Sequence, residues 1–234
     1  MPETLECNDK IIKYLSSEEV SSLIKQSNYK NSNELKDIDK SDLIPNIYEG
    51  GLKVWEAAID MCNYITKNGN DTFKGKTVLE LGCGAGLPGI CALLLQSSHV
   101  YFQDFNEVVL KCYTQENVKM NGFNGNQTTY ISGDWKYFND KVRESGTKFD
   151  IILTTETIYC EENYEKLYQV FCDNLKDTPD AYILLGGKLY YFGVGGSILG
   201  FMDFLKIKND FNVEVVDVVE ASVPRWLLKI TRKI

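Results

Sequence analysis

Between Val78 and Gly89 the chain reads VLELGCGAGLPG, an apolar run broken by alternate glycines and then resumed. A strand that turns sharply through glycine into a helix is the opening unit of an open sheet covered by helices. The alternation continues along the chain. KTVLELG, HVYFQD, QTTYISG, KFDIILTTE and AYILLGG read as strands, with helical stretches expected over about 87–95, 107–120 and 161–175. FDIILT and YILL are continuously apolar, as strands are when helices lie on both faces of a parallel sheet. After a helix over about 197–206 come VEVVDVV and RWLLKITRK, joined by a turn containing Pro224. That turn is too short for a parallel crossover, so the last two strands pair as an antiparallel hairpin at one end of the sheet. The expected fold class is α/β: a Rossmann-like, mostly parallel sheet of seven strands with helices on both faces and a C-terminal antiparallel hairpin.

The chemistry starts at the glycines. Gly82, Gly84 and Gly86 have GxGxG spacing, which differs from the GxGxxG fingerprint of nicotinamide and flavin cofactors. Glycine lets the backbone approach a ligand, and the helix that follows offers free N–H groups to a carboxylate. Glu80, beside the first glycine, can attract an ammonium on the same ligand, directly or through water. Carboxylate and ammonium together describe an amino acid. About twenty residues on, Asp104 closes the second strand, where an acid can accept both hydroxyls of a ribose. The ligand so described is an adenosyl amino acid, S-adenosylmethionine. Asp104 could instead cap the next helix, although Asn106 suits that place better and also borders the cofactor site. In SGDWKYF, Asp134 can accept the adenine amino group while Trp135 offers a flat face to the ring, or simply covers the sheet edge.

Composition narrows the partners. The net charge of −8 among 234 residues argues against a grip on bare nucleic acid, which needs clustered Lys and Arg, and favours a basic protein partner. No stretch approaches the roughly 20 apolar residues of a membrane span, and no basic stretch leads an apolar run at the start, so an intracellular protein is expected. Seven cysteines without a CxxC pair read as buried thiols rather than disulfides or a zinc site. His99, the only histidine, begins a strand and leaves little room for a Ser-His-Asp triad or a Cys-His dyad. Residues 1–45 read as a polar, partly mobile appendage with one weak helix in SSEEVSSLIKQ, ahead of a main domain over 46–234. GLKVWEAAIDMCNYITKN, from Gly51, places Leu52, Trp55, Ala58, Ile59, Cys62 and Ile65 at helical spacing, with Asn68, Gly69 and Asn70 ending the helix.

Several stretches are specific enough to carry a family resemblance: DLIPNIYEGGLKVWEA (Asp42 to Ala57), VLELGCGAGLPGI, YFQDFN, TTETIY (Thr154 to Tyr159) and KLYYFGVGG. From residue 42 onward the chain resembles the protein-histidine methyltransferases, within the class I seven-strand methyltransferases. The resemblance implies transfer of a methyl group from S-adenosylmethionine to a ring nitrogen of one histidine in a large-subunit ribosomal protein, and the members familiar from fungi and animals are cytoplasmic and nuclear. A monomer is expected. It puts Gly51 and Trp55 at the cofactor's border, Gly82, Gly84 and Gly86 at its methionine end and Asp104 at its ribose. Trp135 and Thr155 would flank the adenine and the transferred methyl. Glu156 and Tyr159 match the acid-x-x-Tyr motif that faces substrate in the sibling protein-lysine branch. The N-terminal region is shorter and more acidic than in animal members.

Glu156 and Tyr159 close a central strand, on the rim where open α/β sheets hold ligands. Glu156 is the candidate partner for the second ring N–H of a target imidazole, and Tyr159 a wall or donor beside it; the bland alternative is a helix cap and a core phenol. KLYYFGVGGS leaves the next strand on the same rim. Tyr190, Tyr191 and Phe192 offer surfaces on which an imidazole stacks, and Gly193, Gly195 and Gly196 let a peptide backbone come close; otherwise the aromatics are core and the glycines a turn. Rival readings are a protein-lysine methyltransferase, whose rate would climb more steeply with pH, a cofactor-binding module without chemistry, and a small-molecule enzyme, for which little sequence remains to build a lid.

Overall fold

The computed structural model describes residues 1–31, 44, 47–69 and 71–233. Seven strands form one sheet in the order β5-β4-β3-β6-β7-β9-β8. In chain order the elements begin with a separate antiparallel hairpin, β1 (Glu3–Cys7) and β2 (Lys10–Tyr14), and helices α1 (Ser17–Gln26) and α2 (Glu56–Asn68). Then follow β3 (Thr77–Leu81), α3 (Leu87–Leu94), β4 (His99–Asp104), α4 (Glu107–Val109), a π-turn over Leu110–Thr114, and α5 (Gln115–Met120). The remainder is β5 (Thr128–Ser132), α6 (Trp135–Ser145), β6 (Ile151–Thr155), α7 (Tyr164–Asn174), β7 (Tyr182–Lys188), α8 (Ile198–Lys208), β8 (Phe211–Val219) and β9 (Arg225–Arg232). β3 to β7 pair in parallel, and β9 runs antiparallel to both β7 and β8, so the expected terminal hairpin is present.

Successive side chains of a strand point to opposite faces, and the core divides accordingly. Val78, Ile151, Leu153 and Leu184 join a cluster with Met61, Ile65, Ile90 and Val118 from α2, α3 and α5. Leu79, Leu81, Ile152, Ile183 and Leu185 join a second with Phe138, Leu167, Phe171, Phe201 and Leu205 from α6, α7 and α8. A strand buried on both faces has no polar positions to alternate, which is why FDIILT and YILL read as unbroken apolar runs.

Three features depart from the sequence reading. The described part of residues 1–45 is not merely an appended polar tail: Cys7, Ile12, Leu15, Val20 and Ile24 are buried in the cluster that includes α2 and α3. The hairpin turns at Asn8, whose φ of 56° lies in the left-handed region that Asn tolerates. Ser16 caps α1 with a reciprocal bond to Glu19, as the SSEE motif suggests. Residues 32–43, 45 and 46 of that segment lie outside the described residues. The helix read from Gly51 starts only at Glu56, and Asn70, read as one of its terminators, is outside the described residues. Finally, α6 was not anticipated, since its sequence WKYFNDKVRES buries only Phe138, Asn139 and Val142.

Candidate active site

The carboxyl ends of β3, β4, β6 and β7 converge on a cleft of about 640 Å³. Gly82 and Gly84 line it, and Gly86 does not. At Gly84 (φ 50°) a Cβ would stand 3.1 Å from the Gly51 carbonyl oxygen, so only glycine lets the two backbones meet. Gly86 (φ 75°) caps α3 from below; a Cβ there would press on Thr114 at 2.8 Å and on Phe102 at 3.2 Å. The loop is braced from behind. Thr114, at the end of the π-turn, donates its hydroxyl to the Gly84 carbonyl at 2.6 Å, and Asn117 donates its amide to the Ala85 carbonyl at 2.9 Å. Asn117 also accepts the Leu15 N–H at 2.8 Å, tying the N-terminal segment to the same loop.

Two acids expected on the ligand behave differently. Glu80 is turned into the interior, outside the cleft lining, and accepts the Gly89 N–H at 2.8 Å. Burial pushes its carboxyl well above the ordinary range, the Gly89 N–H opposes this, and Asp104 adds to it. Its observed work is to hold the first turn of α3, and this geometry offers no direct contact with a ligand ammonium. Asp104 does line the cleft. One oxygen accepts the Gly84 N–H at 2.9 Å and the other the Asn106 N–H at 3.2 Å. Burial pushes this carboxyl up to about 6, against the pull of those backbone donors and of Phe105, with the nearby Glu49 charge adding to the rise.

Asn106 occupies the cap position of α4 without a side-chain cap bond and is not a cleft residue. Its amide instead donates to the Ile47 carbonyl at 2.8 Å and accepts the Glu49 N–H at 3.2 Å. Asn106 therefore positions the YEGG segment over the cleft rather than touching a ligand. Gly51 and Trp55 both line the cleft from that segment, with the indole N–H donated to the Gly50 carbonyl at 3.0 Å.

On the β4–β5 side, Asp134 and Trp135 line the cleft. One Asp134 oxygen accepts the Tyr137 N–H at 2.7 Å and so caps α6, a duty not foreseen for it. Trp135 donates its indole N–H to Gln103 at 3.1 Å. Gln103, which the sequence reading missed, also accepts the Gly82 N–H at 3.2 Å and donates to the Gly133 carbonyl at 2.8 Å. One buried amide thus joins the glycine loop, the loop after β5 and Trp135. Its only sequence signal is a polar residue one position before the acid of an otherwise apolar strand.

At the end of β6, Thr155, Glu156 and Tyr159 line the cleft together. Glu156 has φ 58°, a left-handed conformation unusual for this residue type. It is 9% exposed; Oε1 accepts a long 3.4 Å bond from the Ala57 N–H, and Oε2 is buried without a hydrogen bond. Burial raises its pKa above the usual carboxylate range, while Tyr191, Lys188 and the Ala57 N–H pull it back. Tyr191 influences this charge but completes no hydrogen bond to Oε2. Tyr159 donates its phenol to Glu49, the acid of YEGG, and burial with that carboxylate raises the phenol. Glu49 was not foreseen, because the pair joins residues 110 apart in sequence.

The loop after β7 divides its labour. Tyr190, Tyr191 and Phe192 line the cleft, with Phe192 79% exposed and stacked edge-to-face on Tyr190 at 5.0 Å. Tyr191 is turned inward, where its hydroxyl accepts the Lys188 N–H at 3.1 Å. Gly193 and Gly195 have φ of 80° and 86° and do not line the cleft, so they shape the loop rather than meet a ligand in this conformation. Gly196 passes so close to the Ile158–Tyr159 backbone that a Cβ would fall 2.1 Å from the Ile158 carbonyl oxygen. His99 contacts the Thr129 hydroxyl at 2.9 Å and is remote from the cleft lining.

These residues suit S-adenosylmethionine. Gly84 leaves a cradle that a Cβ would fill, Asp104 presents a carboxylate to the cleft, Trp135 a flat face, and Glu156 an unsatisfied oxygen at the far end. Gly51, Trp55, Gly82, Asp134 and Thr155 complete that wall, whereas Glu80, Gly86 and Asn106 support it from outside.

The chain is similar to known methyltransferases in sequence and in fold. The chain is 45% identical over 199 residues to the histidine protein methyltransferase 1 homolog of Dictyostelium discoideum, covering 84% of this chain and 62% of that protein. It is 36% identical over 219 residues to the Bos taurus homolog of the same name, covering 82% of this chain and 58% of that one. The chain thus spans about three fifths of the length of these curated relatives. The fold is similar to that of magnesium protoporphyrin IX methyltransferase from Synechocystis with bound S-adenosylhomocysteine, at a TM-score of 0.56 and 16% identity over 75% of this chain and 81% of that one. A family profile described as lysine methyltransferase matches residues 45–189, which carry every strand of the parallel sheet, the glycine loop and the acid-x-x-Tyr motif, and the chain belongs to that family of S-adenosylmethionine-dependent methyltransferases.

Proposed function

We propose that this chain transfers a methyl group from S-adenosylmethionine to a ring nitrogen of a histidine in a protein, and that the substrate is a basic protein of the large ribosomal subunit. The observation that carries the reading is Glu156: a carboxylate held at the end of the central strand β6 in a left-handed backbone, with one oxygen buried and unbonded. A buried acceptor without a partner costs on the order of 1–3 kcal/mol, more if charged, and a ligand N–H at that point would recover it.

When bound, S-adenosylmethionine supplies a methyl group on a sulfonium leaving group. The chain's own residues then have three duties. Gly82, Gly84, Asp104 and Trp135 border the space that holds the cosubstrate in one orientation. Tyr190 and Phe192 border the entrance, with Tyr191 turned inward behind them, and together they offer apolar faces to an imidazole. Glu156 accepts a hydrogen bond from the ring N–H, which fixes the tautomer and leaves the other nitrogen's lone pair toward the methyl carbon. As the ring gains positive charge, the carboxylate stabilises it and takes that proton. The raised proton affinity of Glu156 suits this acceptor role.

The alternative is transfer to lysine, favoured by the family description and by the acid-x-x-Tyr motif. The acidic net charge of −8 supports a basic protein substrate under either reading. Incubation with labelled S-adenosylmethionine and purified large-subunit proteins, followed by amino-acid analysis, separates them. Methylhistidine supports the proposal, and methyllysine or no transfer refutes it.

A further inference from the structure

The Glu156 end of the cleft contains fixed cations, and their arrangement bears on which side chain it accepts. Lys188 leaves the end of β7 with its side chain only 19% exposed, and its ammonium meets Glu56 at 3.2 Å. The same ammonium stands 5.2 Å from the centroid of the Trp55 ring, and that of Lys53 stands 4.8 Å from it. All three residues line the cleft. Lys188 also acts on Glu156 through its field, favouring the charged carboxylate. Behind them Arg225 pairs with Asp60, its Nη2 at 3.2 Å from Oδ1.

A protein that receives a cationic side chain offers it an open aromatic face or an unbalanced carboxylate. Here the Trp55 indole, two residues before the Ala57 N–H that meets Glu156, already carries two of the protein's own ammonium groups. The acids beside it, Glu56 and Glu156, both have Lys188 as a charged neighbour, and Asp60 has Arg225. An incoming ammonium would meet the like charge of Lys188, whose side chain is largely shielded from water so that its repulsion is less screened, and beside it the more exposed charge of Lys53. A neutral imidazole meets no such cost. It needs only the hydrogen-bond acceptor that Glu156 offers, whose charged form Lys188 favours against the effect of burial.

We infer that Lys188, with Lys53 beside it on Trp55, is a specificity-determining residue that excludes cationic side chains from the target end of the cleft and admits a neutral ring nitrogen. The inference rests on the histidine reading above and gives it a physical cause. The lysine is a filter acting on charge, seated on the Trp55 ring that also borders the cosubstrate.

The test compares wild-type protein with Lys188→Met and Lys188→Arg. Met keeps the length of the stem without the charge, and Arg keeps the charge. The probes are peptides tiled across a purified basic large-subunit protein, each histidine peptide paired with its His→Lys counterpart. The readout is the ratio of methyllysine to methylhistidine formed at pH 7.5, measured by mass spectrometry, with thermal melting and S-adenosylmethionine binding to confirm that each variant is folded. The expected result is that Lys188→Met raises the ratio by about tenfold, the weight of one cation–aromatic or charge contact, while Lys188→Arg stays near wild type. If wild type makes methylhistidine and folded Lys188→Met keeps the wild-type ratio, the filter is overturned and the histidine reading stands. If wild type makes methyllysine alone, both fall.

Discussion

Lowering the pH from 7 to 5 is expected to weaken S-adenosylmethionine binding about tenfold through one residue. The carboxyl of Asp104 is pushed up to about 6, chiefly by burial. Such a group is about nine-tenths ionised at pH 7, half at pH 6 and one-tenth at pH 5. If both oxygens accept ribose hydroxyls, binding draws on the ionised form, and the dissociation constant rises as that fraction falls. For the ligand-free fold, Asp104 binds its proton more tightly folded than unfolded, because the value moves up from 3.8 to about 6. Its contribution to stability is therefore complete below pH ~4 and is lost as pH rises through about 6, roughly 3 kcal/mol in all. Isothermal titration calorimetry at constant ionic strength, at pH 5, 6 and 7, checks the binding. Asp104→Asn should bind weakly and without that slope, and Glu156→Gln should keep it. A wild-type affinity that stays level from pH 7 to 5, or the same slope in Asp104→Asn, would refute the reasoning.

Glu156→Ala is expected to lower kcat by at least about a hundredfold, the weight of a positioned proton acceptor, with cofactor affinity within a few fold of wild type; turnover retained under saturating substrate sinks the assignment. Asn117→Ala leaves the Leu15 N–H and the Ala85 carbonyl without their buried partner. At about 1–3 kcal/mol for each group, the unfolding free energy should fall by roughly 2–6 kcal/mol in a urea titration, and a loss under about 1 kcal/mol would show that the two are satisfied otherwise.

The parallel sheet was legible because burial on both faces leaves a local mark, an apolar run, at each of KTVLELG, KFDIILTTE and AYILLGG, the first and last of them closed by glycine. The terminal hairpin followed from the length of one turn. Less legible was whatever depends on partners far apart in the chain. Glu80 read as a ligand acid because it stands beside Gly82, yet strand alternation sends its side chain to the Gly89 N–H. Asn106 read as a cap because it precedes a helix, yet its amide serves the backbone of residues 47 and 49. Gln103 and Glu49 acquire their places only when β4 meets the loop after β5 and when YEGG meets Tyr159. The N-terminal hairpin hid in a segment whose apolar residues are too sparse to signal a core, though Asn8-Asp9 between LEC and IIKY was a usable turn cue.

The left-handed backbone of Glu156 has a consequence for anyone who evolves this protein toward heat resistance. A residue other than glycine costs roughly 1–2 kcal/mol in that conformation, and a buried carboxylate with one oxygen unbonded adds to the cost. Glu156→Gly would relieve both at once, so selection on melting temperature alone would favour it. A library screened that way would accumulate well-folded, cofactor-binding proteins that transfer nothing, which places stability and activity in direct competition at a single position.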